Sequence, residues 1–254
     1  MAVVRSTETS LTRRRRAMQT EARWLARLAP VELGAAVLLV AVGAWAAARQ
    51  RPAAGWWIGA AAVGLLGGGH LWKARQNRDE GRALRAGASG EERVAEALAR
   101  HFDDRHVLFN DVTLRSGLRS AQVDHLVVGP SGVWVVETKN WGGRIEGEAD
   151  AAVWTQIRPA GAPRRLDNPV RQNRRHVAVV RGFLEVAGLG AAEVRAVTVF
   201  AGRGTELAIR GARSDEPVLT LDEFPARLTA VVANARELPT ATVERLVARI
   251  SEAA

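Results

Sequence analysis

Two carboxylates and a lysine lie close together around one predicted turn. Residues 122–141 contain two β-rich runs separated by the turn sequence Gly-Pro-Ser-Gly at 129–132. With those four residues as the loop, Asp124 lies directly across an antiparallel hairpin from Glu137, and Lys139 follows two residues later on the same face. Opposed like charges destabilise a sheet, and a cation between them would remove that conflict. Oxygen ligands of this kind suit Mg²⁺ or Mn²⁺.

An ordinary explanation of the same hairpin also stands. A solvent-exposed hairpin end often carries a mixture of charges. A register slip of one residue would in addition move Asp124 away from Glu137 and turn its side chain to the other face. The pairing of the two carboxylates is therefore a hypothesis about register.

A helix is predicted to precede the hairpin. Its apolar residues recur on one face, and Ser89 with Glu92 three residues later forms a capping box at its start. Glu91 is not needed for that cap, so it is available for a site, although a first-turn acid also favours the helix dipole.

A second predicted helix follows the hairpin. Asn168 is its N-cap and Pro169 its first residue, and it runs to about residue 186. Gln172 and His176 are four residues apart, so they share one face. Arg175 lies beside them, where it is either part of a solvated face or a contact to an anionic partner.

The remaining pattern predicts an α/β fold, because strands alternate with helices along the chain. The helices that close the chain are predicted at 222–235 and 241–250. Strands are predicted at 106–114, 121–128, 133–139, 153–157, 194–200, 206–209 and 218–221. The chain contains no cysteine, which excludes disulfides and thiolate metal sites.

The excess positive charge of the chain belongs to its N-terminal third. The formal net charge is +9, and residues 1–78 alone hold 12 basic and 3 acidic residues. Residues 79–254 hold 24 of each. The C-terminal region is therefore not a generally basic nucleic-acid binder, and any such surface on it must be local.

Two uncharged runs, 33–48 and 53–72, predict a transmembrane helical hairpin over residues 31–74 in a lipid bilayer. We expect residues 1–30 to form a basic cytoplasmic segment. The flanking residues Arg13–Arg16, Lys73, Arg75 and Arg78 place both termini inside by the positive-inside rule. The arginine-rich lead is also suited to anionic lipid headgroups. A buried soluble hairpin and a cleaved signal peptide are the alternatives.

Residues 87–176 resemble the nuclease-related domain family, a bacterial branch of the nucleases whose signature is Asp followed by Glu-x-Lys. The matching pieces are Gly-Glu-Glu at 90–92, Val-Asp-His-Leu-Val-Val at 123–128, Gly-Val-Trp-Val-Val-Glu-Thr-Lys-Asn-Trp at 132–141, and Asn-Pro-x-x-Gln at 168–172 with His176 four residues on. Four pieces in the right order make the resemblance specific, and it weakens after residue 186.

The resemblance implies a restriction-endonuclease-like fold, in which helices flank a central mixed β-sheet, for a domain at 79–254. It implies that Asp124 and Glu137 are metal ligands for Mg²⁺ or Mn²⁺, and that Lys139 supports the attack of water. Glu91 resembles the helix acid that completes the site. Gln172, Arg175 and His176 are then nucleic-acid-binding candidates, and His176 stands where relatives often carry tyrosine.

The expected function is a membrane-anchored, metal-dependent nuclease that hydrolyses DNA or RNA at the inner face of the bacterial plasma membrane. The alternative is a non-catalytic module that binds or senses nucleic acid or a nucleotide at the membrane. A purely structural membrane protein is a third reading, and the set of Asp124, Glu137 and Lys139 argues against it.

Overall fold

A computed structural model of the protein describes residues 1–6, 10–233 and 235–254, with the side chains of residues 5–16, 231 and 233 outside the described part. The chain forms two units. One, here called the sheet domain, combines Met1–Thr9 with Gly87–Ala254, and the other, the helical hairpin, is Ser10–Ala86. The arginines at 13–16, which were predicted to contact lipid headgroups, lie outside the described side chains.

The elements in chain order are β1 (Val3–Ser6), α1 (Ser10–Ala48), α2 (Ala54–His101), β2 (Val107–Ser116), β3 (Arg119–Gly129), β4 (Gly132–Lys139), β5 (Gly143–Glu148), β6 (Val153–Ile157), β7 (Arg164–Asp167), α3 (Pro169–Val186), β8 (Val194–Phe200), β9 (Thr205–Arg210), β10 (Val218–Thr220), α4 (Phe224–Ala233) and α5 (Thr240–Ser251).

A six-stranded mixed sheet organises the sheet domain. Its strand order is β1-β2-β3-β4-β8-β10. The β2, β3 and β4 strands form an antiparallel meander, and β1, β8 and β10 add in parallel to their neighbours. A separate four-stranded sheet has the order β7-β6-β5-β9. This is the predicted α/β arrangement of a mixed sheet flanked by helices.

Two apolar layers cover the faces of the large sheet. On one face, α3 and α5 bury Val180, Leu184 and Leu246 against inward side chains of β2, β3 and β4. On the other, the C-terminal part of α2 and α4 cover Trp134 and Val136. Each fully buried aliphatic side chain contributes about 1.5–3 kcal/mol, so these layers hold the strands of the site in register.

The predicted start of a helix at Ser89 is wrong. The α2 helix runs without interruption from Ala54 to His101, so Ser89 is an interior residue and Ser89 and Glu92 form no capping box. The backbone carbonyl of Ser89 instead accepts a hydrogen bond from Arg93 Nε at 3.1 Å. The segment 77–90 consists mainly of good helix formers such as Ala, Arg, Leu and Glu, and these outweigh its isolated glycines.

Small residues let the two helices of the hairpin approach closely. A Cβ added to Gly67 would lie 3.1 Å from Leu33 Cγ, and one added to Gly43 would lie 3.1 Å from Trp56 Cβ. Glu32 Oε2 and His70 Nδ1 are 2.7 Å apart across the same interface. The helices are therefore antiparallel and directly packed, as the apolar pattern predicts for a hairpin.

One helical segment of the described residues, Ala17–Ala48, is long and apolar enough to cross a membrane, because it contains an 18-residue stretch with a mean hydropathy of 2.0. A segment of this kind near an N-terminus is also typical of a signal sequence. The second apolar run does not meet the same test, because its glycines at 64 and 67–69 and His70 lower its hydropathy. The described residues thus support one candidate span, where the sequence predicted two.

A buried polar network fixes the β3–β4 turn. Asp103 Oδ1 lies 2.6 Å from His106 Nδ1, and His106 Nε2 lies 3.2 Å from Ser131 Oγ. Trp134 Nε1 donates to the same Ser131 oxygen at 2.9 Å. A side chain at Gly129 would collide with the His106 ring. The turn is thereby joined to the loop after α2.

Replacing Ser131 with alanine is expected to destabilise the protein by about 1–3 kcal/mol, because the buried indole N–H of Trp134 then loses its acceptor. Thermal unfolding of the two proteins, followed by circular dichroism, measures the loss. Ser120→Ala, at an exposed position of β3, is the matched control. Equal melting temperatures for wild type and Ser131→Ala would contradict the role of this network.

Candidate active site

The β3–β4 hairpin has the register that the sequence predicted. Val128 pairs with Val133 and Leu126 with Val135, and the ladder ends at the pair His125 and Val136. Continuing that register places Asp124 across from Glu137. The Asp124 side chain turns to the β4 backbone instead of standing in the ladder, and its Oδ2 accepts a hydrogen bond of 2.8 Å from Thr138 N.

A local break in the β2–β3 pairing brings a further acid to this level. Asn110 pairs with His125 and Val112 with Val123, so Asp111 and Asp124 lie opposite each other between those pairs. Asp111 has a φ of +57°, in the left-handed region that non-glycine residues rarely adopt. Strained backbone of this kind concentrates at functional sites.

The break shifts the alternation of both strands. Phe109 and Val112 on β2 lie in the same core layer, as do Val123 and Leu126 on β3. In a regular strand, residues three apart face opposite sides. Asp111 and Asp124 therefore do not follow the regular alternation of their strands, and this irregularity lies at the level of Glu137 in the sheet.

Lys139 connects the sheet to α3. Its Nζ donates to Glu137 Oε1 at 2.6 Å and to Gln172 Oε1 at 3.1 Å. Its side chain is 19% exposed, whereas that of Glu137 is 1% exposed. The α3 helix is positioned for this contact by Asn168, whose side chain caps it as predicted by accepting from Val170 N and Arg171 N.

Asn173 anchors α3 on the sheet beneath Lys139. Its buried amide nitrogen donates to the carbonyl oxygens of Val135 at 3.1 Å and Val197 at 2.9 Å. These two carbonyls belong to the neighbouring strands β4 and β8. The helix face that carries Gln172 and His176 is thereby held against the end of β4.

His176 completes the wall around Glu137. Its Nδ1 lies 3.2 Å from Glu137 Oε2, and its side chain is mostly buried. The contact has an ion-pair distance without hydrogen-bond geometry, so Glu137 Oε2 has no hydrogen-bond partner among the described residues. A buried carboxylate oxygen in this state is suited to accept a ligand that the protein does not itself supply.

Burial and mutual repulsion shift the acids of the site. Burial, followed by the charges of Asp111 and Glu137, raises the pKa of Glu91 to about 7. Burial and the charges of Glu137 and Glu91 also raise the pKa of Asp124 well above its usual value. Burial acts to raise the pKa of Glu137 as well, but the contacts with His176 and Lys139 outweigh it and hold that pKa below its usual value.

The raised pKa of Glu91 predicts that the metal-free protein loses stability as the pH rises. The folded pKa of about 7 exceeds the unfolded value of 4.5, so its contribution is fully present below pH 4.5 and is lost as the pH rises through 7. At about 1.4 kcal/mol per pKa unit, the loss reaches about 3 kcal/mol.

Thermal unfolding in EDTA between pH 5 and pH 8 measures this effect. We expect the melting temperature of the wild type to fall by about 5–10 °C relative to Glu91→Gln. The exposed neighbour Glu92→Gln is the control and should keep the slope of the wild type. Parallel curves for wild type and Glu91→Gln would contradict the burial of a titrating acid at this position.

The structure brings most of the predicted site residues together. Six of them lie around the end of β4, while Arg175 is exposed on α3 and has no ion pair among the described residues. The sequence analysis did not identify Asp111 as a site residue. The one feature that could have indicated it is that Asp111 is an acidic residue within the apolar run of β2, which pairs with β3. The six residues are Glu91, Asp124, Glu137, Lys139, Gln172 and His176.

The donor set fits a small divalent cation that keeps most of its waters. No group of three or more His, Asp or Glu side chains in the described part of the chain is arranged to hold a metal by itself. Mg²⁺, however, is usually bound through only one or two carboxylates. Asp124 and the unpartnered oxygen of Glu137 supply such a pair, and a cation would offset both the burial and the repulsion that raise the pKa of Asp124.

The family of this domain follows from its sequence. Residues 86–201 match the family model described as nuclease-related domain. These residues are a nuclease-related domain. The match includes every site residue described above and β4 in full, and it ends just after β8.

Two curated relatives match parts of the chain. An uncharacterised protein of Bacillus anthracis is 34% identical over 102 residues, which cover 39% of this chain and 47% of that protein. A probable kinase, PglW, of Streptomyces coelicolor is 31% identical over 127 residues, covering 50% of this chain and 8% of that protein. The chain thus spans about half of the first relative and a small part of the second. No solved structure matches the chain.

Proposed function

We propose that the nuclease-related domain is a divalent-metal-dependent nuclease that hydrolyses phosphodiester bonds in DNA or RNA. The observation that carries the proposal is the contact of Lys139 with both Glu137 and Gln172, beside Asp124. An acid pair with a lysine next to it supplies the charges that phosphodiester hydrolysis needs.

Each residue has a defined part in the proposed reaction. Asp124 and Glu137 would hold Mg²⁺ or Mn²⁺, which when bound lowers the pKa of water and offsets charge on the scissile phosphate. Lys139 stabilises the negative charge that develops on the phosphate oxygens. Gln172 accepts from Lys139 and keeps its ammonium group over the site, while Glu91, with its pKa of about 7, is able to exchange a proton near neutral pH.

The proposed nucleic-acid surface is local. Several arginines of the sheet domain pair with acids, such as Arg174 with Glu216 and Asp150. Other arginines are exposed and form no ion pair among the described side chains, and one set of these lies together on the β6–β7 hairpin and the first turns of α3. Its members are Arg158, Arg164, Arg165, Arg171 and Arg175.

These arginines flank Lys139. Arg164 pairs in register with Gln156, whose side chain donates to the carbonyl of Gly142 at 2.7 Å, just beyond β4. Along α3, Arg171 directly precedes Gln172 and Arg175 directly precedes His176. A phosphate backbone held by these cations would pass the site, which is consistent with zero net charge over residues 79–254.

Incubating the full-length protein in detergent with labelled single- and double-stranded DNA and RNA tests the proposal. We expect cleavage with Mg²⁺ or Mn²⁺ and none with EDTA. Glu137→Gln, which removes the buried charge, should be inactive, and Glu146→Gln on the exposed face of β5 should match the wild type. Cleavage that persists in EDTA, or in Glu137→Gln, would refute the metal-dependent site.

A second candidate function is a module that binds nucleic acid or a nucleotide without turnover. The short contact between Lys139 and Glu137 favours this function, because two groups that bind each other are less available to a metal ion and a phosphate. In the same assay this function would give metal-dependent retention of labelled nucleic acid with no cleavage product. The two functions are therefore separated by a single measurement.

We propose membrane attachment through α1, with the sheet domain in the bacterial cytoplasm. The apolar segment Ala17–Ala48 supports the attachment, and the flanking basic residues support the orientation. The two-span topology stays a prediction, supported by the exposed apolar residues Ile58, Leu65 and Leu66 on α2. Release by alkaline carbonate would refute attachment, and a periplasmic signal from a reporter fused after Ala254 would refute the orientation.

A further inference from the structure

A basic cavity lies between α1 and α2 within the helical hairpin, away from any residue assigned to the nuclease site. Its volume is about 260 Å³. Four of its lining residues are arginines, and none of the described lining residues is acidic. The lining consists of Gln19, Ala22, Arg23, Asn77, Arg78, Gly81, Arg82 and Arg85.

Asn77 makes this cavity more than a cluster of surface charges. It is 5% exposed, and its amide nitrogen has no hydrogen-bond partner among the described residues. It lies one turn after Ala74 on the face that packs against α1, where the small residues Ala22 and Ala74 are almost fully buried. A buried donor without an acceptor costs about 1–3 kcal/mol, and an anion in the cavity would supply that acceptor.

The arginines are available to such an anion. Arg82 has the one ion pair in the described lining, a contact of 3.5 Å with Asp79 in which both side chains are about three-quarters exposed. A solvent-exposed pair of that kind contributes about 0–1 kcal/mol and is easily exchanged for a stronger one. Arg23, Arg78 and Arg85 form no ion pair among the described residues.

We propose that this cavity binds a phosphate group, carried by an anionic phospholipid or free in solution. The planar guanidinium groups are suited to bidentate contacts with phosphate oxygens, and the Asn77 amide donates a further hydrogen bond from the cavity wall. The lining belongs to the arginine-rich end of the same hairpin that carries the candidate span, where basic pockets between helices meet lipid headgroups.

Binding to the full-length protein in neutral detergent tests the proposal. Short-chain phosphatidylglycerol, short-chain phosphatidylcholine and inorganic phosphate are titrated separately, and the melting temperature and dissociation constant are measured. Arg78→Gln removes one lining charge, and Asn77→Leu removes the unpartnered donor while keeping an apolar contact to α1. Arg75→Gln is the matched control, because Arg75 is exposed on the same helix but does not line the cavity.

We expect phosphatidylglycerol or inorganic phosphate to bind the wild type, and Arg78→Gln and Asn77→Leu to weaken binding by at least about tenfold. Arg75→Gln should bind as the wild type does. Binding of phosphatidylglycerol alone assigns the phosphate to a lipid, and binding of inorganic phosphate assigns it to a soluble source.

Several results would overturn the proposal. An equal loss in Arg75→Gln would show diffuse charge attraction, and equal binding of phosphatidylcholine would show an apolar contact. No binding of either anionic probe would also refute the site. Circular dichroism of each variant establishes that it is folded, and Arg78→Gln keeps the test decisive if Asn77→Leu is not.

Discussion

Replacing Lys139 with alanine is expected to lower the rate of phosphodiester cleavage by about 100-fold or more, while metal binding is kept or strengthened. In the proposed reaction the ammonium group faces the scissile phosphate, and loss of one preorganised donor of this kind costs about 10²–10³ in rate. Lys139 also offsets the charge of Glu137 at 2.6 Å, so its removal leaves the carboxylates more attractive to a cation. Cleavage rate and the Mn²⁺-dependent melting temperature are measured on the same preparation.

The composition of the chain supplies the control. Of its 36 basic residues only Lys73 and Lys139 are lysines. Lys73→Ala, in the helical hairpin, should leave cleavage unchanged. Lys139→Arg keeps the positive charge but replaces the compact ammonium group with a larger, planar guanidinium group. This variant should also cleave nucleic acid more slowly than the wild type. Cleavage by Lys139→Ala at the rate of the wild type would remove Lys139 from the reaction.

A large stability effect is also expected from metal binding at Asp124. A cation that binds only the folded protein at 100 times its dissociation constant stabilises it by about 2.7 kcal/mol. For a chain of this size, that corresponds to a rise in melting temperature of about 5–10 °C with millimolar Mn²⁺. Asp124→Asn should respond little to Mn²⁺, because one of the two carboxylate ligands is lost.

The same variant makes a second prediction in EDTA. An asparagine at position 124 still has a side-chain oxygen that can accept the hydrogen bond from Thr138 N. It carries no charge, so the electrostatic repulsion between residue 124 and the carboxylates of Glu137 and Glu91 is removed. The melting temperature of Asp124→Asn in EDTA should therefore equal or exceed that of the wild type. Asp104→Asn, at an exposed position, is the control. A wild-type melting temperature that ignores both Mg²⁺ and Mn²⁺ would refute a shared metal at Asp124 and Glu137.

The sequence by itself determined the register of the β3–β4 hairpin and the start of α3. Alternating apolar residues flank a Gly-Pro-Ser-Gly turn, and only one register buries them all. At 168–169, Asn-Pro is a cap that acts within one turn of helix. Both signals are local, so they survive without knowledge of the rest of the fold. They place Asp124, Glu137 and Lys139 at one end of the hairpin and Gln172 in the first turn of α3, whereas the contact of Gln172 with Lys139 depends on the tertiary fold.

The continuity of α2 and the short strands were decided by tertiary structure. Ser89 and Glu92 have the pattern of a capping box, but the helix-forming residues before them continue the helix through it. The β7 strand, Arg164–Asp167, has no apolar alternation and forms because β6 supplies its hydrogen bonds. The β1 strand likewise exists through its pairing with β2.

The site owes Asp111 to tertiary structure as well. Its left-handed conformation and its position across from Asp124 depend on the pairing of β2 with β3, which no local pattern of β2 specifies. The same holds for charge. The sequence alone shows zero net charge over residues 79–254, whereas the fold decides which arginines pair with acids, as Arg174 does, and which, such as Arg171 and Arg175, stay exposed without an ion pair among the described residues. Partners distant in sequence decide which charges remain, and only the folded chain brings them together.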